Sequence, residues 1–483
     1  MRPAGLGCFV PNRTSVARHA PARGQADPPP AQEKWLYRPL VWSLVYLLGT
    51  FLIFFLTASA TKLPSVWPMV LIPPAGAGMF AFGYWLRARS GVSQGAALRR
   101  RPPTALIALA ALWSVSYGIA YLSVFGASGL PDFISVAANP GAAYRAKFDV
   151  FDQQANTGAV SLPVQLVTLT SGLMTLLVPL TIIWWKQLGA ALRVLALTGT
   201  AMLLAPFAYA GTNQGFGYVA LLVLVGVGVS RASDTGNSRP SRSTIALVAL
   251  VLLGGLAFFL VGSIGRSEAF GTTNRTYNEY VANVVGEELA AALDSAIFYP
   301  THGYLGLSES MTQDFVFSGG YGGSRALTRY AGSYFGLPDT FPLTYPARTQ
   351  VATGYPSGRL WHTVYPWLAS DLTFFGAVAL MGLVGWAMAR WWIRSVSELD
   401  SLSIGLIGNA AIFIAFVPAN NQIGMSQVNL IGFLTLLTCY VVRAALRPKR
   451  QANDCRWQSP SVSPKPDAEP RAIHRHDVQQ RSD

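Results

Sequence analysis

The sequence predicts an all-α, polytopic integral membrane protein of about ten transmembrane helices, with one large extracytoplasmic loop between spans 7 and 8. Three observations lead there. The 483-residue chain is 51% hydrophobic and only 12% charged, about half the charged share of an ordinary soluble domain. Its apolar residues fall in blocks of about 18–25, the length at which a helix crosses a bilayer. Its basic residues also alternate from one inter-block segment to the next, as Lys and Arg do when they collect on the cytoplasmic face.

In chain order the spans read as 39–60, 66–86, 104–126, 161–184, 188–210, 214–230, 244–264, 367–389, 403–419 and 426–445. Residues 1–38 are polar and Pro/Ala-rich, a disordered cytoplasmic tail. Ala58-Ser59-Ala60 imitates a signal-peptidase site. The polar region before it is too long for a signal peptide, so the first span is expected to stay as an anchor. The fifth and sixth spans are separated only by Gly211–Gln214 and form a tight helical hairpin. With both termini inside, the cytoplasmic segments hold 27 of the chain's 36 Lys and Arg residues. The membrane domain is thus 39–445, and 446–483 is a second disordered cytoplasmic tail.

The net charge of +14 follows from this inside bias and from attraction to anionic lipid; it carries no case for nucleic acid. The three cysteines, Cys8, Cys439 and Cys455, fall in tails and a span, so no disulfide framework is expected. No ionisable residue stands near the middle of a span, where ion-coupled transporters place them.

Chemistry therefore belongs to the outer loops. The loop over 265–365 contains six arginines, no lysine and ten of the chain's 19 tyrosines. Arginine grips phosphate through a planar fork, which lysine cannot do. Tyrosine joins an apolar face to a polar handle, which suits a partly wet surface. Against this stands a plainer reading, a glycine-rich cap whose arginines pair with its eight acidic residues.

Within the loop, residues 275–297 space their apolar side chains as one helical face. Such a helix would lie on the membrane or pack on span ends. Gly319-Gly320-Tyr321-Gly322-Gly323 reads as a flexible turn, since the ending of a phosphate-binding P-loop is absent. The earlier loop, 127–160, offers Arg145 and Lys147 shortly before a span, an anion-binding patch or a loop ion pair with Asp149. No metal-ligand spacing is present, and no metal or cofactor is expected. His302 and His362 stand 60 positions apart. A lone loop histidine is usually a surface residue, but His362 lies close to Arg359 and to the start of a span.

Ten spans, an outer arginine before the fourth and a hundred-residue loop before the eighth resemble the Wzy-type oligosaccharide repeat-unit polymerases, the O-antigen polymerases of bacterial envelopes. The likeness is carried by Tyr144-Arg145, by Tyr299-Pro-Thr-His-Gly-Tyr-Leu-Gly-Leu-Ser308, by Trp361-His362-Thr363, and by Asp371-Leu-Thr-Phe-Phe-Gly376 followed by Gly382 and Gly385. Two additional residues part Asp371 from Phe374-Phe375-Gly376, where the family has a tighter Asp-Phe-Gly. Arg325 and Gly336 match an Arg–Gly spacing seen in some members.

The resemblance implies a transferase that moves a growing glycan from undecaprenyl pyrophosphate to another lipid-linked repeat unit. It would act at the outer face of the cytoplasmic (inner) membrane. Its substrate is then an undecaprenyl-pyrophosphate-linked oligosaccharide held in membrane lipid, with a chain-length regulator and a flippase of the same pathway as partners. Such chemistry needs positive charge on the departing pyrophosphate and a base for the acceptor hydroxyl. Arg145, Arg275, Arg325 and Arg359 are the candidates for the first, and His362 or a carboxylate such as Glu309 for the second. An O-antigen ligase shares donor and layout. A lipid-phosphate-sugar transferase of the mannosyltransferase type, a lipid-linked-sugar flippase or transporter and a membrane scaffold are the other readings.

Overall fold

The computed structural model describes residues 34–90, 101–147, 162–233 and 279–446, leaving out 56, 58–59, 61, 138, 140, 356 and 358–361, together with a few single positions between those blocks. Most of the expected seventh span, residues 1–33 and 447–483 of the two tails, Arg275 and Arg359 lie outside the described residues, while Lys34–Arg38, expected in the tail, form the start of a helix. By its contacts the chain divides after Tyr440. The second unit, from Val441 on, is described only to Leu446, as the end of a helix.

The described chain is helical and has no strand. Seven helices are long and apolar enough to cross a membrane. These are α1 (Lys34–Phe54), α2 (Trp67–Arg89), α3 (Thr104–Val124), α7 (Ala190–Tyr209), α8 (Gln214–Ser233), α14 (Val364–Ser397) and α17 (Gln427–Leu446). Between α3 and α7 come α4 (Leu130–Ala137), α5 (Leu162–Leu169) and α6 (Met174–Trp184). The fourth expected span is the pair α5 and α6, bent by 54° at a short 3₁₀ turn. The ninth is α15 (Ser401–Phe416), 16 residues long. At 1.5 Å per residue it runs about 24 Å, short of a roughly 30 Å hydrocarbon core. Side chains such as Trp42, Val45, Leu52, Val194 and Leu197 are exposed on the spans, as a bilayer permits and water does not. The protein is membrane-embedded.

Small residues let the spans touch backbone to backbone, the packing that lipid, itself apolar, does not otherwise drive. A Cβ on Gly83 would strike the Gly382 carbonyl, and one on Gly385 the Phe80 carbonyl. That contact joins α2 to α14. Gly199 lies against the Ala111 backbone, joining α3 to α7.

Between α8 and α14 a helical cap is assembled from α9 (Glu279–Val285), α10 (Glu287–Thr301), α11 (Gly303–Ser310), α12 (Arg325–Phe335) and α13 (Tyr345–Thr353). The amphipathic helix expected over 275–297 is divided at Gly286, whose φ of +85° breaks the ladder. Of its apolar stripe, Val284, Leu289 and Leu293 stay exposed while α10 packs against α1.

Helix α14 would be about 51 Å long if straight, too long for one crossing. It is broken at Thr373, where φ is +65° and ψ 166°. Its first part is buried from Val364 to Ser370 apart from half-buried Leu368, whereas Leu372 at the break is exposed. Thr373 then caps the second part, its hydroxyl accepting the Gly376 amide at 3.3 Å. A β-branched residue at positive φ is strained by about 1–3 kcal/mol.

Candidate functional site

The glycine turn is no loose loop. Asp371, on the last turn of the buried part of α14, accepts hydrogen bonds from Ser318 Oγ at 2.6 Å, Gly320 N at 3.0 Å and Gly323 N at 2.8 Å. Gly319 and Gly320 both take φ of +82° to wrap it, a conformation cheap only for glycine. Directly after the turn, Ser324 caps α12 by accepting the Leu327 amide at 3.2 Å and donates to the Gly424 carbonyl at 2.7 Å. Asn421 donates to the Gly323 carbonyl at 2.9 Å. Asn421 precedes the single turn α16 (Gln422–Met425) in the connector from α15 to α17. Two elements distant in sequence, α14 and the connector from α15 to α17, thus hold the start of α12.

Helix α12 presents a concave pocket of about 350 Å³ lined by Arg325, Thr328, Arg329, Gly332, Ser333 and Asp339. Positions 325, 329 and 332–333 recur on one helical face. Arg325 is already engaged: its Nη1 lies 3.2 and 3.4 Å from the two Asp339 oxygens, and its guanidinium sits 4.2 Å from the Phe341 ring centre. Asp339 in turn accepts the Phe341 amide at 3.0 Å. Arg329 makes no ion pair with the described residues. Partial desolvation by the pocket walls, then the nearby Arg325 charge, lower its pKa, yet the side chain opens to solvent and an arginine stays protonated. It is the uncommitted cation of the pocket.

The other sequence candidates are scattered. Arg145 is exposed on a short helix over residues 141–147, beside Lys147, whose ammonium lies over the Tyr144 ring at 4.4 Å. Among the described residues no ion pair joins it to the α12 pocket. Arg348 is spent on the cap backbone, donating to Asp314 O at 2.7 Å and Leu343 O at 3.1 Å.

His362 lies in the core of the cap with no exposed surface. The Tyr355 ring meets it edge-on at 5.0 Å, and the Gly306 backbone closes over its imidazole. Neither ring nitrogen has a hydrogen-bond partner among the described residues. Burial, reinforced by nearby His302, pushes its pKa down to about 3, so the ring is neutral. With no exposed surface, it is out of reach of a substrate hydroxyl in this conformation. Glu309, on α11, is partly exposed, and burial raises its carboxyl above the ordinary range, which is the direction a general base needs.

Sequence reasoning ranked Arg329 below Arg275, Arg325 and Arg359, as lying in irregular backbone where α12 stands, and missed Asp339 and the connector Pro418-Ala-Asn-Asn-Gln422. Asn420, Asn421 and Gln422 are all buried although they stand between two spans. A run of uncharged polar residues at a span junction was the available signal. Among the described residues no three His, Cys, Asp or Glu side chains are grouped to share a metal ion. No family model, no curated protein and no solved structure matches the chain.

Proposed function

We propose that this protein is a glycosyltransferase-type polymerase that joins undecaprenyl-pyrophosphate-linked repeat units at the outer face of a bacterial cytoplasmic membrane. The observation that supports it best is the arginine-lined pocket on α12, a polar site outside the apolar spans in a membrane-embedded chain. Ion-coupled transport would instead place ionisable groups within the spans.

In this reading the ten spans keep both termini cytoplasmic and the cap outside. A lipid-anchored pyrophosphate stays near headgroup level, and by sequence Arg145 and Arg359 fall within a turn or two of expected span ends. Their forks neutralise the charge that grows on the pyrophosphate as the sugar's anomeric bond to it breaks. Glu309 takes the proton of the acceptor hydroxyl as the new glycosidic bond forms. The α12 pocket, with Arg325 and Arg329, holds glycan. A ligase would share every one of these steps except the acceptor.

The test is glycan chain length on a gel, from strains carrying Arg145→Lys, Arg359→Lys or Arg325→Lys at equal expression. Each of the first two is expected to lower the rate about ten- to a hundredfold, the scale of one charge-assisted contact of roughly 1.5–3 kcal/mol. Full-length glycan from both Arg145→Lys and Arg359→Lys would remove the pyrophosphate clamp from those positions.

A further inference from the structure

We infer that the α12 pocket is a saccharide subsite selective for a sugar bearing one negative charge, a hexuronate-type carboxylate; this rests on the polymerase reading above and specifies one sugar of its glycan. The chemistry of the lining carries it. Arg325 and Arg329 donate, Thr328 and Ser333 can donate or accept, and Asp339 accepts. Ring hydroxyls, which both donate and accept, match such a mixed set. Pyrophosphate offers acceptors alone, and Asp339 would repel it.

The charge count agrees. Two arginines and one aspartate give the pocket a formal charge of +1. The Arg325 fork is already bound to Asp339 at 3.2 Å, which leaves the planar guanidinium of Arg329 for one ligand carboxylate. The Asp339 side chain is 58% exposed, so its remaining lone pairs face incoming hydroxyls. About 350 Å³ lies at the lower end for small-molecule sites and suits a mono- or disaccharide. Tethering of the α12 start by Asp371 and Asn421 holds the pocket ready, which limits the ordering cost of binding.

The experiment uses the full-length protein in detergent micelles and three probes: methyl β-glucuronide, methyl β-glucoside and inorganic pyrophosphate, followed by saturation-transfer NMR with competition. The glucuronide should bind at least about tenfold more tightly than the glucoside, the scale of one charge-assisted contact. Arg329→Gln should erase that preference, and Arg329→Lys should restore it only in part. Arg329 is exposed and unpaired, so both variants should unfold at the wild-type temperature. Equal binding of the two sugars, no binding of either, a preference that survives Arg329→Gln, or displacement of glucuronide by equimolar pyrophosphate would overturn the assignment. Chain length in cells is read separately. Polymer made without the sugar preference discards the subsite alone, and the preference found in a protein that makes no polymer discards the polymerase reading alone.

Discussion

The carboxylate of Asp371 accepts the amide of Gly323 at 2.8 Å across 48 residues of sequence. With the bonds from Ser318 and Gly320, it fixes the turn from which α12 departs. Arg325 and Arg329 therefore owe their position to a side chain on another helix. Gly323 admits no side chain, because a Cβ there would meet the Trp367 carbonyl and lie 3.0 Å from Asp371 Oδ2.

Asp371→Asn should loosen this arrangement. The amide keeps one acceptor oxygen and turns an NH₂ group toward a donor, so a backbone or hydroxyl proton loses its partner. A charge-assisted bond lost in this way is expected to cost about 1.5–3 kcal/mol. Thermal unfolding followed by tryptophan fluorescence should show a lower midpoint, and a protease should cut within Gly319–Gly323 more readily. An unchanged midpoint and unchanged cleavage would mean that the turn does not depend on the carboxylate.

Stability should fall in mild acid through His362. Its folded pKa, pushed down to about 3 by burial and by His302, lies below the ordinary histidine value of about 6.5. In that window the unfolded chain binds a proton that the folded ring refuses. The stabilisation is complete above about pH 6.5 and is lost as pH falls toward 3, at up to about 1.4 kcal/mol per unit. Midpoints measured between pH 7 and 5 should decline, and His362→Gln should decline less. Parallel curves for the two proteins would contradict a buried neutral ring.

The glycine contact between α2 and α14 gives a third test. Gly385→Leu would force a side chain into the Phe80 carbonyl, a backbone clash that a rotamer change cannot relieve. Overpacking of this kind costs about 1–3 kcal/mol. Gly49, with open space around its Cβ position, is the control, and Gly49→Leu should have little effect. Comparable yields and midpoints for both variants would show that the helices can shift apart freely.

Topology is testable without any assumption about chemistry. Reporter fusions ending at Ser233 should report cytoplasm, and fusions ending at Ser318 the opposite side, the arrangement that would gather 27 of the 36 basic residues on the cytoplasmic face. A cytoplasmic signal at Ser318 would place the cap on the wrong side for the proposed reaction.

Much of the architecture is written along the chain. Apolar block length marked α1, α2, α3, α7, α8, α14 and α17 in their places, because crossing a bilayer is a local requirement on twenty consecutive residues. The split at Gly286 and the break at Thr373 were not legible. In both cases one residue at positive φ overrides an otherwise continuous helical pattern.

The site was less visible still. Composition singled out the arginines of the loop, and the spacing to Gly336 favoured Arg325 over Arg329. The fold separates them by an ion pair with Asp339 and the Phe341 ring at the first, whereas the second makes no ion pair among the described residues. His362 read as a loop residue near a span, yet the closure of Gly306 and Tyr355 over it makes it part of the cap's core. Asp371 stood out only for its resemblance to a motif, and its role lies in a turn 48 positions away. Hydrophobic length and charge bias act on neighbouring residues and survive in one dimension. Burial of a ring, sharing of a carboxylate and availability of a guanidinium depend on which distant backbones meet, and here the tertiary structure alone decides them.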